Sequence, residues 1–219
     1  MTCIAGLVHD GAVHLAGDSA GCSSWTLTVR SDPKVFANGS YVMGFTTSFR
    51  MGQLLRYAFT PPEPEIADLH RFMCTSFTDA LRQCLKDGGW AKKDKDREEG
   101  GTFLVGTHGR LFFFNSDYQV GEPADPYAAV GCGADIALGA LHATQGRGMT
   151  PGERLDAALL AAERFSNGVR GPFAHVSTVL PQHAGPRRGR ERAVDPRPRS
   201  RVLTVEPHVR GRRGRACVR

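Results

Sequence analysis

The chain has 219 residues, six cysteines and a formal net charge of +6 that is unevenly held. Residues 181–219 carry twelve arginines against Glu191, Asp195 and Glu206, a net +9, which leaves residues 1–180 at −3. The basicity belongs to the C-terminal segment and does not mark the body as a nucleic-acid binder.

Cys3–Val8 and Ala12–Ala16 are short apolar runs on either side of His9-Asp10-Gly11, the pattern of a β-hairpin. A chain that enters a buried strand at once holds Thr2 in a fixed place. Taken alone, threonine there is an ordinary strand former. Trp25–Arg30, Lys34–Ala37 and Tyr41–Thr46 read as further strands. Ser48 caps a helix running to about Phe59 and ended by Pro61-Pro62-Glu63-Pro64. Three- and four-residue steps between Ile66, Leu69, Met73, Phe77, Ala80, Leu81, Cys84 and Leu85 predict a second helix over Ile66–Lys86, stopped by Gly88-Gly89.

Lys92–Gly101 reads as a charged loop. Its Asp94-x-Asp96-x-Glu98 resembles the start of a calcium loop, but there is no glycine at the sixth position and Val105 stands where the closing glutamate belongs, so the motif is rejected. Thr102–Gly106 and Arg110–Asn115 form a hairpin around His108-Gly109, and Tyr127–Val130 is a strand ending in Gly131-Cys132-Gly133. Asp135–His142 is an alanine-rich helix. Thr150-Pro151-Gly152-Glu153 is a capping box that opens another helix, to about Phe165. Phe173–Val179 is a last strand.

This order of strands and helices predicts an α+β fold in which helices cover both outer faces of two antiparallel sheets, a four-layer αββα sandwich spanning residues 1–180. After Leu180 the chain turns to Pro, Gly and Arg without apolar periodicity, which predicts disorder over 181–219. That tail is either a polyanion-binding arm or a non-packing extension from a shifted reading frame. The cysteines include no CxxC pair and the eight histidines no HExxH, which argues against a disulfide framework and a metal site. With no apolar run of about 18 residues and no secretory leader pattern, a soluble, unexported protein is expected.

A sandwich whose first strand begins at residue two points to N-terminal nucleophile chemistry. A free α-amine has a pKa of about 7.7–8.0, so near neutral pH it accepts the proton of its own residue's hydroxyl. Thr2 qualifies once Met1 is removed, and threonine is small enough for ordinary methionine excision. Counting Thr2 as the first mature residue, Asp18 in LAGDSAG falls seventeenth and Lys34 in SDPKVF thirty-third. In these residues and separations the chain resembles proteasome β-type subunits and the bacterial HslV-type peptidase, over roughly residues 2–179.

The resemblance implies catalytic roles for Thr2, Asp18 and Lys34. It implies an oxyanion-binding backbone N–H at Thr47 in MGFTTSFR, where that family usually has glycine. YAAVGCGADIALGAL resembles the family's strand–Gly-Ser-Gly–helix segment, with Cys132 in place of the serine that supports the amine. AAERFSNGV resembles its late D-x-x-S segment, with Glu163 and Ser166 at the two positions. The same resemblance implies a threonine-type endopeptidase without cofactor or metal, acting on peptides or unfolded proteins inside a homo-oligomeric chamber, with an ATP-dependent unfoldase as a possible partner. The expected setting is the cytoplasm of a bacterium or of a phage-infected host. A non-catalytic scaffold subunit and a small-amide hydrolase of the same superfamily are the competing readings.

Overall fold

The computed structural model describes residues 1–23, 26–94 and 97–178, and of residues 92–94 and 97 the backbone alone. The opening hairpin forms from β1 (Cys3–His9) and β2 (Ala12–Gly17), one residue longer than the apolar run indicates. Its turn residues Asp10 and Gly11 have φ of 47° and 76°, the left-handed pair that matches the twist of adjoining strands. β3 (Ala20–Ser23) and β4 (Thr26–Val29) come next, then β5 (Val35–Asn38) and β6 (Tyr41–Phe45).

Ser48 accepts from the Arg50 N–H and caps α1 (Phe49–Tyr57). The second helical stretch is continuous but not uniform. A 3₁₀ turn (Ile66–Asp68), α2 (Leu69–Phe72), a π turn (Met73–Phe77) and α3 (Thr78–Asp87) succeed one another, and Ile66 is exposed rather than packed. The reason lies in the spacing. Leu69, Met73, Phe77, Leu81 and Leu85 are all buried at strict four-residue steps, and each such step overshoots a straight α-helical face by about 40°. The wider π turn takes back that rotation and keeps the row on the core.

Lys92–Gly101 is not a plain loop: β7 (Lys92–Asp94) and β8 (Arg97–Glu99) form a hairpin whose register sets residues of opposite charge across from each other. β9 (Phe103–Thr107) and β10 (Arg110–Phe114) pair as expected, and the short β11 (Val120–Gly121) joins β10. β12 (Tyr127–Gly131) leads into α4 (Ala134–Ala143). Both halves of the capping box are present at Thr150 and Glu153, opening α5 (Pro151–Phe165). The last described strand is β13 (Ala174–Ser177); Val179 and the tail over 181–219 lie outside the described residues.

Two antiparallel sheets result, with strand orders β12-β1-β2-β13 and β11-β10-β9-β6-β5. Ile4, Val13 and Leu15 of the first pack with Val35, Val42, Leu104 and Leu111 of the second. Cys3, Ala5, Leu7 and Ala16 point the other way, onto Leu141 of α4 and Leu155, Ala158 and Leu159 of α5. Phe36, Met43, Phe103 and Phe112 likewise pack on Met51, Leu55, Phe77 and Leu81 of the remaining helices. Period-two alternation in β1, β2 and β6 thus decides which side chain enters which core. Among the described residues no helix is long and apolar enough to cross a membrane.

Candidate active site

The N-terminus of β1, the end of β2 and the start of β5 meet at one point. Pairing of Ile4 with Gly17 carries Asp18 alongside Cys3, whose carbonyl accepts from the Asp18 N–H. The Asp18 carboxylate is then enclosed by donors: Oδ1 accepts from the Cys3 N–H at 2.9 Å, and Oδ2 from the Ala20 and Arg170 N–H groups at 2.9 and 3.3 Å. Lys34 Nζ donates to Asp18 Oδ1 at 2.8 Å and to Thr2 Oγ1 at 2.9 Å. The two charged side chains are 1% and 0% exposed. A buried ion pair offsets its desolvation only when its remaining hydrogen-bonding capacity is used, and the three backbone donors on Asp18 use it.

Burial pulls the Lys34 ammonium below its usual 10.5, against the opposing pull of Asp18. The Cys3 thiol is pushed up to about 12, first by burial and then by Asp18, so it remains a packed, protonated side chain. A Phe49 ring stands beside Lys34, its centroid 5.7 Å from Nζ, with the Arg30 guanidinium stacked on it at 3.7 Å. Arg30 is held by both carboxylate oxygens of Asp32, at 2.7 and 2.6 Å.

On the opposite side the Thr2 N–H donates to Cys132 Sγ at 3.3 Å, the thiol returns a bond to the Thr2 carbonyl at 3.4 Å, and Ser166 Oγ stands 3.5 Å from the sulfur. Gly131 permits this approach. Its φ is 103°, and a Cβ there would run into the Thr2 carbonyl. The Thr2 hydroxyl also donates to the carbonyl of Met1, whose side chain packs over Gly168 near Cys132.

Thr47 follows β6 in the left-handed region, φ 60°. A β-branched residue is strained there, and the strain is offset locally: Thr47 Oγ1 accepts from the Thr102 N–H at 3.1 Å. Among the described residues no backbone acceptor takes the Thr47 N–H. The preceding residue, Thr46, borders Gly131 together with the Thr2 carbonyl, so this corner adjoins the site.

Thr2, Asp18, Lys34, Cys132 and Ser166 are therefore brought together. Glu163 is not: its carboxylate accepts from the Gly171 N–H at 3.1 Å and faces the Arg170 guanidinium at 3.5 Å. The backbone of Arg170 is a member of the site that sequence reading missed, since nothing in a side chain announces an N–H that reaches Asp18 across 152 positions.

No protein-family model matches the chain, and no curated protein matches it by sequence. Solved structures do. A BPH protein of Thiobacillus denitrificans, solved alone, superposes with a TM-score of 0.69 at 19% identity, covering 83% of this chain and 100% of its own. The same protein in complex with epoxomicin gives 0.68, and HslV from Trypanosoma brucei gives 0.60 at 19% identity over 80% of this chain and 98% of its own. An Anbu protein from a Hyphomicrobium strain gives 0.56 at 16% identity, covering 80% of each chain. The chain has the fold of the proteasome β-subunit and HslV-like N-terminal nucleophile proteins.

Proposed function

We propose that the chain is a threonine-type peptidase whose nucleophile is Thr2. The observation that carries this is the single ammonium of Lys34, which reaches both Thr2 Oγ1 and Asp18 Oδ1 from a buried position. A fixed positive charge on a hydroxyl oxygen favours the alkoxide that develops during attack. Hydrolytic loss of Met1 frees the Thr2 α-amine, which then takes the proton of the hydroxyl as Oγ1 adds to a substrate carbonyl. The same amine passes the proton to the leaving amine as the peptide C–N bond breaks, and water resolves the ester on Thr2. Cys132 and Ser166 orient the amine. The N–H of Thr47 binds the oxyanion, the role supported by its strained conformation and by the lack of a backbone acceptor among the described residues.

The packing of the three cores supports a four-layer αββα order for the body. Chamber assembly from several copies, with peptides or unfolded proteins as substrate and an ATP-dependent unfoldase as partner, extends the likeness to HslV, in a cytoplasmic setting. The test is covalent. Full-length protein is incubated with epoxomicin, the ligand of the BPH complex, or with a β-lactone, and then analysed by intact mass and peptide mapping. The expected result is loss of the Met1 mass and one adduct on Thr2, absent in Thr2→Ala. Retained Met1, or an adduct that survives Thr2→Ala, overturns the proposal.

A further inference from the structure

Residues 166–172, between α5 and β13, touch Thr2's surroundings at two separate places. At one end Ser166 stands 3.5 Å from Cys132 Sγ, on the amine side. At the other, the Arg170 N–H donates to Asp18 Oδ2 at 3.3 Å while the Arg170 carbonyl accepts from the Ser19 N–H at 2.7 Å, on the hydroxyl side. Ser19 Oγ adds a bond to the Pro172 carbonyl at 2.6 Å. Val169, fully buried among the α4 and α5 side chains, pins the middle.

Besides Ser19, one side chain of α5 holds the far end. Glu163, in the last turn of α5, accepts from the Gly171 N–H at 3.1 Å and pairs with the Arg170 guanidinium at 3.5 Å. From there the contacts run without a gap: Glu163 to the 170–171 backbone, the Arg170 N–H to Asp18 Oδ2, Asp18 Oδ1 to Lys34 Nζ, Lys34 Nζ to Thr2 Oγ1.

Resting on the nucleophile mechanism above, we propose that Glu163 is a positioning residue that acts on the hydroxyl side of Thr2, through Arg170 and Asp18, rather than on the amine side. It never touches the reacting atoms. It fixes one of the backbone donors that share Asp18 with Lys34, so its loss weakens the hold on Asp18 Oδ2 and displaces the ammonium slightly from Thr2 Oγ1. Of its two partners the Gly171 N–H is the one that sets backbone position; the Arg170 guanidinium is nearly half exposed and its ion pair adds little. Glutamine keeps an acceptor for Gly171 and discards the ion pair. Alanine discards both.

The experiment uses full-length protein and measures both peptide hydrolysis and the rate of β-lactone acylation of Thr2, in which Oγ1 opens the lactone ring and keeps the acyl group. Glu163→Ala is expected to lower kcat and the acylation rate by about tenfold to a hundredfold with KM little changed, the scale of a small displacement at the reacting centre. Its pH–rate profile should shift, because Lys34 loses its fixed partner geometry. Glu163→Gln should stay within about threefold of wild type, and Arg170→Ala, which keeps the backbone N–H on Asp18, should fall less than Glu163→Ala. If Glu163→Ala does not fold, Glu163→Gln with an unshifted profile beside Glu163→Lys with a collapsed rate gives the same discrimination. Glu163→Ala with wild-type rates and profile overturns the inference, as does Arg170→Ala falling as far as Glu163→Ala. A wild type that forms no adduct removes the nucleophile mechanism itself, an outcome distinct from either.

Discussion

The two flanks of Thr2 are built on different principles. On the hydroxyl side Asp18 and Lys34 are sealed from solvent, charged and joined by bonds of 2.8–2.9 Å. On the amine side Cys132 is exposed and makes contacts of 3.3–3.5 Å. Charge is placed where water cannot screen it, and the polarisable, yielding partner is placed on the open side of Thr2. A buried charge forced close to an oxygen cannot relax, so on the proposed mechanism the first flank would act by preorganisation and the second by accommodation.

That contrast is open to direct attack. Lys34→Ala is expected to lower kcat/KM by at least about a hundredfold with the circular-dichroism spectrum unchanged, on the scale of losing one electrostatic stabiliser. A variant above half the wild-type rate would reduce Lys34 to a structural cation. Asp18→Asn strands a buried ammonium and should destabilise the fold by about 3–5 kcal/mol in urea titrations. The pH dependence has a worked sign. Because Lys34 in the folded chain lies below its usual 10.5, the unfolded chain binds more protons between the two values. Stability therefore rises with pH across that window. Lys34→Met should flatten this slope, and an unaltered slope would assign it elsewhere.

Effects on the exposed flank should be milder. Cys132→Ala is expected to lower kcat/KM by about fivefold, the value of one neutral hydrogen bond near 1 kcal/mol, while Cys132→Ser stays at or above wild type; a hundredfold loss in either would make the two flanks equivalent. Thr47→Gly relieves left-handed strain but also removes the acceptor of the Thr102 N–H, so stability read from the urea midpoint should change by less than about 1 kcal/mol. Truncation after Leu180 should change neither melting temperature nor hydrolysis; loss of soluble protein would show that Val202–Val205 completes the fold.

The buried flank was also the legible one. Thr2, Asp18 and Lys34 can be found by counting, because their separations match the spacing of the family that the chain resembles. Ser48 and Thr150 were legible because a cap acts within three residues of itself. What escaped depends on backbone or on context. β3 reads Ala-Gly-Cys-Ser, with no β-branched residue to mark it. β7 and β8 are charged throughout, and polar composition mimics a loop when pairing comes from register rather than from burial. The left-handed Thr47 has no signature in residue type, and the partners of Glu163 are a backbone N–H and a surface arginine that no spacing rule connects to it.

Topology also imposes a timetable. β1 is bracketed by β2, made at once, and by β12, and the Thr2 N–H finds its sulfur 130 positions later in the chain. At ribosomal speeds that separation corresponds to a delay on the order of ten seconds, and closing so long a loop is among the slower events in folding. On the mechanism proposed above, that interval would leave the first two residues open to excision of Met1. Thr2 would then be inert while the polypeptide is being made, because the Cys132 side of its surroundings does not yet exist.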